Sequence, residues 1–120
     1  MTFRATQPFL GTWRIVWMAE WDQEFVDMDV PGHFTFEPHG LGSFQFGLVR
    51  GDIDWRADDR SAQRVEFSWE GSDGGDDASG RGHAEIVDGK LRGHIHFHRG
   101  DDLAFRAERQ QAPAADRATK

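Results

Sequence analysis

Apolar and polar residues alternate along most of this chain. In one stretch, Val65, Phe67 and Trp69 are separated by Glu66 and Ser68. Successive side chains of a β-strand point to opposite faces, so such a stretch has one apolar face and one polar face. This pattern is typical of antiparallel sheets with one side in water. It predicts eight strands, at about residues 11–18, 32–37, 43–49, 52–57, 63–70, 82–87, 90–98 and 103–109.

Residues that favour turns separate these strands. The segment 38–42, Pro-His-Gly-Leu-Gly, predicts a hairpin connection. Asp88-Gly89 predicts a two-residue type I′ turn, in which both residues have positive φ. Residues 71–82 are rich in Gly, Asp and Ser and predict a long loop. Because most connections are short, we expect consecutive strands to pair with each other.

The predicted fold is all-β: a single eight-stranded antiparallel up-and-down barrel. Closure of such a meander into a barrel removes the two exposed edges of an open sheet. A sandwich of two sheets would satisfy the same alternation. The barrel domain is predicted to span residues 1–109, and an Ala-rich polar segment at 110–120 is predicted to be a disordered tail.

A helical period interrupts the alternation between the first two strands. Trp21, Phe25 and Met28 recur at helical spacing, and Asp22 is placed to cap a helix N-terminus. Pro31-Gly32 would end such a helix. We therefore expect a short helical or loop segment between strands 1 and 2.

Composition narrows the classes of function. The chain has 120 residues, no cysteine and a formal net charge of −7. It therefore lacks disulfides and thiolate metal sites, and its acidic balance argues against nucleic acids and anionic membranes as partners, since these bind basic patches. No apolar run approaches the roughly 20 residues that cross a bilayer. The N-terminus shows no signal-peptide pattern, so a cytoplasmic location is expected.

The start of strand 1, Leu10-Gly11-Thr12-Trp13, resembles the Gly-x-Trp motif that opens strand 1 of the calycins, which are the lipocalins, fatty-acid-binding proteins and avidins. The resemblance implies an antiparallel barrel that binds a small, mostly apolar ligand inside. It also implies that a basic residue near the end of the last strand, Arg106 or Arg109, packs over Trp13. The segment 21–28 would correspond to the helical lid of the fatty-acid-binding proteins. Short segments also resemble a small bacterial protein family of unknown activity, at 21–22, 27–28, 65–71 and 100–102.

The inward face of the barrel is predicted to be aromatic. The chain contains ten Phe and five Trp, and most of them fall on the apolar side of the alternation. These rings either fill the interior or line a pocket for a small apolar or aromatic ligand. The residues predicted to bind such a ligand are Trp17, Trp21, Phe25, Met28, Phe36, Phe46, Trp55 and Trp69.

Histidines on strand 7 suggest a metal site as an alternative function. His94, His96 and His98 alternate along one face, with neighbours roughly 6.5–7 Å apart. Imidazoles at this spacing bind zinc or another transition metal. His83 on strand 6 is predicted to face strand 7, so the candidate ligands are His94, His96 and His83, and no other cofactor is expected. A solvated polar face would explain the same histidines.

A protein-interaction module with a solid core is the other alternative. Trp21, Phe25 and Met28 would then form an exposed apolar patch for a protein partner or a second copy of the chain. Paired strand carboxylates such as Glu66 and Glu70 are also found in acid–base catalysis, but ion pairs with arginines on neighbouring strands explain these residues without it. No nucleophile elbow is found. The sequence therefore favours a protein that binds without catalysing a reaction.

Overall fold

The computed structural model describes residues 7–58 and 63–110. They form a closed barrel of eight antiparallel strands in sequence order, in which the first strand pairs with the last. The all-β meander barrel expected from the sequence is therefore confirmed, a two-sheet sandwich is excluded, and the architecture is compatible with a calycin-like fold. The strands are β1 Gly11–Met18, β2 His33–Glu37, β3 Leu41–Phe46, β4 Val49–Ala57, β5 Arg64–Asp73, β6 Asp76–Val87, β7 Lys90–Phe97 and β8 Asp102–Arg109.

In the part of the chain that the structure describes, three short helical segments accompany the barrel. The α-helix α1, Gln23–Val26, lies between β1 and β2, as expected for this part of the chain. One 3₁₀ turn, Gln7–Phe9, precedes β1, and a second, Pro38–Gly40, joins β2 to β3. Within the described ranges, no helix is long and apolar enough to cross a membrane.

The segment 71–82 forms a hairpin instead of the expected long loop. β5 and β6 extend towards each other and are joined by a turn at Gly74 and Gly75, both of which have positive φ. Within β5, a Cβ atom at Gly71 would collide with the carbonyl oxygen of Arg50. Glycine is therefore needed where two strands approach closely. Composition alone does not distinguish a glycine of this kind from a glycine in a loop.

A β-bulge in β1 moves Trp17 to the outer face of the barrel. The pairing of β1 with β8 shifts register between Ile15 and Trp17. A bulge displaces the alternation of inward and outward side chains. Ile15 and Met18 are buried, whereas Trp17 is 42% exposed. The prediction that Trp17 faces the interior is therefore wrong.

The 3₁₀ turn that precedes β1 closes the end of the barrel at which β1 begins. We name this end the closed end. Phe9 is fully buried, and its carbonyl oxygen accepts a hydrogen bond from Trp13 Nε1 at 2.9 Å. The guanidinium of Arg109 lies 4.1 Å from the Trp13 ring centroid, and its Nη1 donates to the Leu10 carbonyl oxygen at 2.8 Å. Arg109 is therefore the basic residue that covers Trp13.

The opposite end of the barrel is covered by α1, and we name it the lid end. Asp22 caps the helix, since its Oδ1 accepts the backbone N–H of Phe25 at 2.9 Å. Val26 is buried, and its carbonyl oxygen accepts the N–H of Gly47 at 2.8 Å in the turn between β3 and β4. One helical turn is thus anchored across this end.

The described part of the chain ends just after β8. Gln110 follows that strand, and its N–H donates to the Thr12 carbonyl oxygen at 2.9 Å. The remainder of the tail predicted at 110–120 lies outside the described residues.

Candidate functional site at the lid end

Aromatic rings fill the middle and the closed end of the interior. At the closed end, the ring centroid of Phe36 lies 5.9 Å from that of Phe9 and 5.1 Å from that of Trp55. In the middle, Phe34 stacks on Phe105 at 4.5 Å. None of these five residues is more than 4% exposed. Phe36 and Trp55, which the sequence suggests as ligand contacts, are therefore held within the packed core.

A continuous series of aromatic contacts runs across the lid end. The ring of Trp21 lies 4.9 Å from that of Phe25 and 5.1 Å from that of Phe46. The remaining centroid separations along the series are 5.4, 5.1 and 5.2 Å. We name this set the mouth cluster, which in order of contact comprises Phe25, Trp21, Phe46, Phe44, Trp69 and Phe97.

The mouth cluster is buried on its inner side and partly exposed on its outer side. Its members on β3 and β5 are at most 3% exposed. Trp21 and Phe25 belong to the segment 21–28, which contains α1 and which we name the lid. Their rings are half-buried, as is the ring of Phe97 at the end of β7. A rigid apolar base with partly exposed rings above it resembles the apolar lining of small-molecule sites.

The structure brings together some of the predicted ligand-binding residues and separates others. Met28 follows α1 and is 53% exposed, so it lies at the rim of the lid end. The prediction omits Phe44 and Phe97, although alternation along β3 and β7 places both on the inward face. The predicted residues that lie in the mouth cluster are Trp21, Phe25, Phe46 and Trp69.

Asp27, directly after α1, fastens the lid to β1. Its Oδ2 accepts hydrogen bonds from Arg14 Nη2 at 2.7 Å and from Gln23 Nε2 at 3.1 Å, and its Oδ1 accepts the Gly32 N–H at 2.8 Å. Burial raises the pKa of Asp27, but these hydrogen bonds and the charge of Arg14 outweigh burial and lower the pKa below its ordinary value of 3.8. The carboxylate is therefore ionised and paired at neutral pH.

The histidines form a pair and not a three-residue ligand set. His83 and His94 face each other across β6 and β7, with ring centroids 5.2 Å apart. His94 Nδ1 lies 3.1 Å from Asp102 Oδ1, and His96 is paired in register with Arg81. Across residues 7–58 and 63–110, no group of three His, Asp or Glu side chains is arranged to hold a metal ion. The ligand set His94, His96 and His83 is therefore not assembled.

Comparison with known proteins gives no assignment. The chain matches no protein-family model, and neither a curated protein nor a solved structure matches it.

Proposed function

We propose that this protein is a calycin-like barrel that binds one small apolar or aromatic ligand at the mouth cluster and catalyses no reaction. The observation that carries the proposal is the cluster itself, six aromatic rings in continuous contact at an end that one helical turn covers. A bound apolar molecule would remove the exposed parts of these rings from water, which favours association.

The difference between the two barrel ends supports binding at the lid end. At the closed end, Trp13 is fixed by its hydrogen bond to the Phe9 carbonyl oxygen and by the guanidinium of Arg109. At the lid end, Trp21 joins the sheet through an isolated bridge to Met18, and α1 is four residues long. A ligand displaces such a segment more readily than it displaces the core rings.

The resemblance to calycins supports the same interpretation. Gly11 and Trp13 open β1, and Arg109 at the end of β8 covers the Trp13 ring. The lid lies between the first two strands, where fatty-acid-binding proteins place their helices. These features support membership of the calycins, whose barrels bind small apolar ligands.

The filled middle of the barrel limits the size of the ligand. Phe34 and Phe105 stack at 4.5 Å and are fully or almost fully buried. A long acyl chain lying along the barrel axis would have to displace these rings, which would cost packing energy. We therefore expect a compact ligand of one or two rings, or a short acyl chain.

A fluorescence titration tests the proposal. N-phenyl-1-naphthylamine is an uncharged aromatic probe that becomes more fluorescent in apolar surroundings. We expect it to bind the wild-type protein saturably at micromolar concentrations. Replacement of Trp21 by alanine removes a half-buried ring that connects Phe25 to Phe46 in the mouth cluster, so it should weaken binding by about tenfold.

Trp17→Ala is the matched control, since it removes an indole of equal size from the outer face. It should leave the affinity for the probe unchanged. Both variants should keep the far-ultraviolet circular dichroism of the wild type. The absence of saturable binding to the wild type, or equal weakening by the two variants, would contradict binding at the mouth cluster.

A protein partner at the lid end is a second candidate. Met28 and Leu48 are 53% and 51% exposed there, beside the half-buried rings. A partner surface or a second copy of the chain would cover these side chains together. Light scattering that shows a dimer, with the probe excluded from it, would favour this candidate over the small ligand.

A further inference from the structure

A groove on the outer face of the barrel is separate from the mouth cluster, and we name it the outer groove. It crosses β6, β7, β8 and β1 and has a volume of about 380 Å³, within the range of about 300–1,000 Å³ for small-molecule pockets. Ala104, which has a short side chain, is one of the residues that line it. Trp17 and His94 are among the residues that line it.

Two arginines face each other at one rim of the outer groove. Arg92 and Arg106 are direct cross-strand partners on β7 and β8. Like charges in this position destabilise an antiparallel pair. Arg92 Nε donates to Glu85 Oε2 at 3.0 Å, whereas Arg106 forms no ion pair within the described part of the chain. One positive charge is therefore in excess at this rim, although the net charge of the chain is −7.

Trp17 orients the guanidinium of Arg106. The two residues are cross-strand partners on β1 and β8, and the guanidinium carbon lies 5.0 Å from the indole centroid. A guanidinium stacked on an aromatic face keeps its N–H edge available for a carboxylate. The bulge that turns Trp17 outward creates this arrangement, and bulges often re-aim side chains beside functional sites.

We infer that the outer groove binds a small aromatic carboxylate. The carboxylate lies between Arg92 and Arg106 and accepts hydrogen bonds from both guanidinium groups, which makes these bonds charge-assisted. The ring of the ligand lies over Ala104, between the indole of Trp17 and the imidazole of His94, where aromatic contacts stabilise it.

Charge complementarity favours a carboxylate over a phosphate. A carboxylate carries one negative charge, which matches the one positive charge of Arg106, the arginine of this rim without a carboxylate partner. A phosphate monoester carries a charge of about −1.5 to −2 at neutral pH, more than this rim neutralises. On the side of His94, Asp102 Oδ1 lies 3.1 Å from His94 Nδ1, and its charge would repel a carboxylate bound in the reverse orientation.

Indole N–H signals in ¹⁵N–¹H spectra test this inference site by site. The five Trp residues give five separate probes, and Trp17 lies in the outer groove whereas Trp21 lies in the mouth cluster. Benzoate should shift the Trp17 signal saturably, with a dissociation constant of about 1 mM or below. Benzyl alcohol carries the same ring without the charge and should bind at least about tenfold more weakly.

Three variants test which residues contact the bound benzoate. Arg106→Gln removes the unpaired charge and should weaken benzoate binding by about tenfold or more. Ala104→Leu places a larger side chain in the groove and should abolish the Trp17 shift. Arg56→Gln changes the net charge equally at an exposed position on β4, on the opposite side of the closed barrel, and should leave binding unchanged.

Several results would overturn the inference. These are equal binding of benzoate and benzyl alcohol, equal weakening by Arg106→Gln and Arg56→Gln, and tighter binding of inorganic phosphate than of benzoate. A benzoate shift confined to Trp21 would also overturn it. Because the outer groove and the mouth cluster are observed through different indoles, failure at one site leaves the proposal for the other site intact.

Discussion

His83 lies half-buried on β6, beside the charged and titratable groups of neighbouring strands. Burial lowers its pKa below the ordinary value of 6.5. The charges of Arg64 and His94 lower the pKa further, against the opposing effects of Asp102 and Glu85. The folded chain therefore binds this proton more weakly than the unfolded chain does.

The lowered pKa predicts a loss of stability in acid. Above the unfolded pKa of about 6.5, His83 is neutral in both states and does not affect the free energy of unfolding. As the pH falls below that value, the unfolded chain takes up the proton first, so the free energy of unfolding decreases. Denaturant titrations from about pH 7.5 to about pH 5 should show a smaller decrease for His83→Gln than for the wild type.

His98→Gln is the control for this prediction, because it removes an exposed histidine that directly follows β7. It should keep the pH dependence of the wild type. If all three proteins lose the same free energy of unfolding, His83 is not the source of the effect.

Arg109 and Trp17 illustrate what residue patterns can predict. The motif at the start of β1 implies a basic residue over Trp13, and Arg109 fulfils this expectation at 4.1 Å. Strict alternation, in contrast, predicts that Trp17 points inward. Its outward direction depends on a bulge in the pairing of β1 with β8, two strands that lie far apart in the sequence. Local patterns carry no signal for that irregularity.

Strands were predictable where both the alternation and the turn residues were clear. Asp88-Gly89 joins β6 to β7 as a two-residue turn, and both residues have the positive φ that a type I′ turn requires. The hairpin at 71–82 was not predictable, because glycines within its strands, such as Gly71 and Gly80, serve close contacts with neighbouring strands. The helical spacing of Trp21 and Phe25 in the sequence predicts that both rings belong to the segment between β1 and β2. Phe97 joins the mouth cluster through tertiary contact with Trp69, which periodicity alone does not indicate.

The lid depends on one carboxylate, which leads to a prediction about stability. Asp27→Asn removes the ion pair with Arg14 and weakens the hydrogen bonds that fasten α1. Both side chains are partly exposed, so we expect a loss of about 1 kcal/mol in the free energy of unfolding at neutral pH. The Gly47 N–H, which bonds to α1 at Val26, should exchange with solvent faster.

The pH dependence separates this effect from a general loss of charge. The pKa of Asp27 is lowered in the folded state, so its stabilising contribution is present above the unfolded value of 3.8 and is lost as the pH falls through the folded value. The difference between wild type and Asp27→Asn should therefore shrink in acid. Asp29→Asn removes an equal charge from a carboxylate that bonds to Gln45 and should have a smaller effect on Gly47 exchange. Equal effects of the two variants would show that Asp27 does not fasten the lid.

At the scale of the whole molecule, one closed sheet presents two different proposed sites. Closure of β1 on β8 brings the start and the end of the barrel together, where Arg109 seals the closed end. It also places Trp17 beside Arg106 and so completes the outer groove. The barrel interior ends in the mouth cluster, which is apolar, whereas the outer groove is charged. The two sites should therefore select different ligands.

The most direct test of the central claim, binding at the lid end, is the indole spectrum of the protein saturated with N-phenyl-1-naphthylamine. The proposed function predicts that the signals of Trp21 and Trp69 shift while those of Trp13 and Trp55, within the core of the closed end, stay in place. A spectrum in which only Trp17 moves, or in which Trp21 and Trp69 do not respond at saturation, would contradict binding at the mouth cluster.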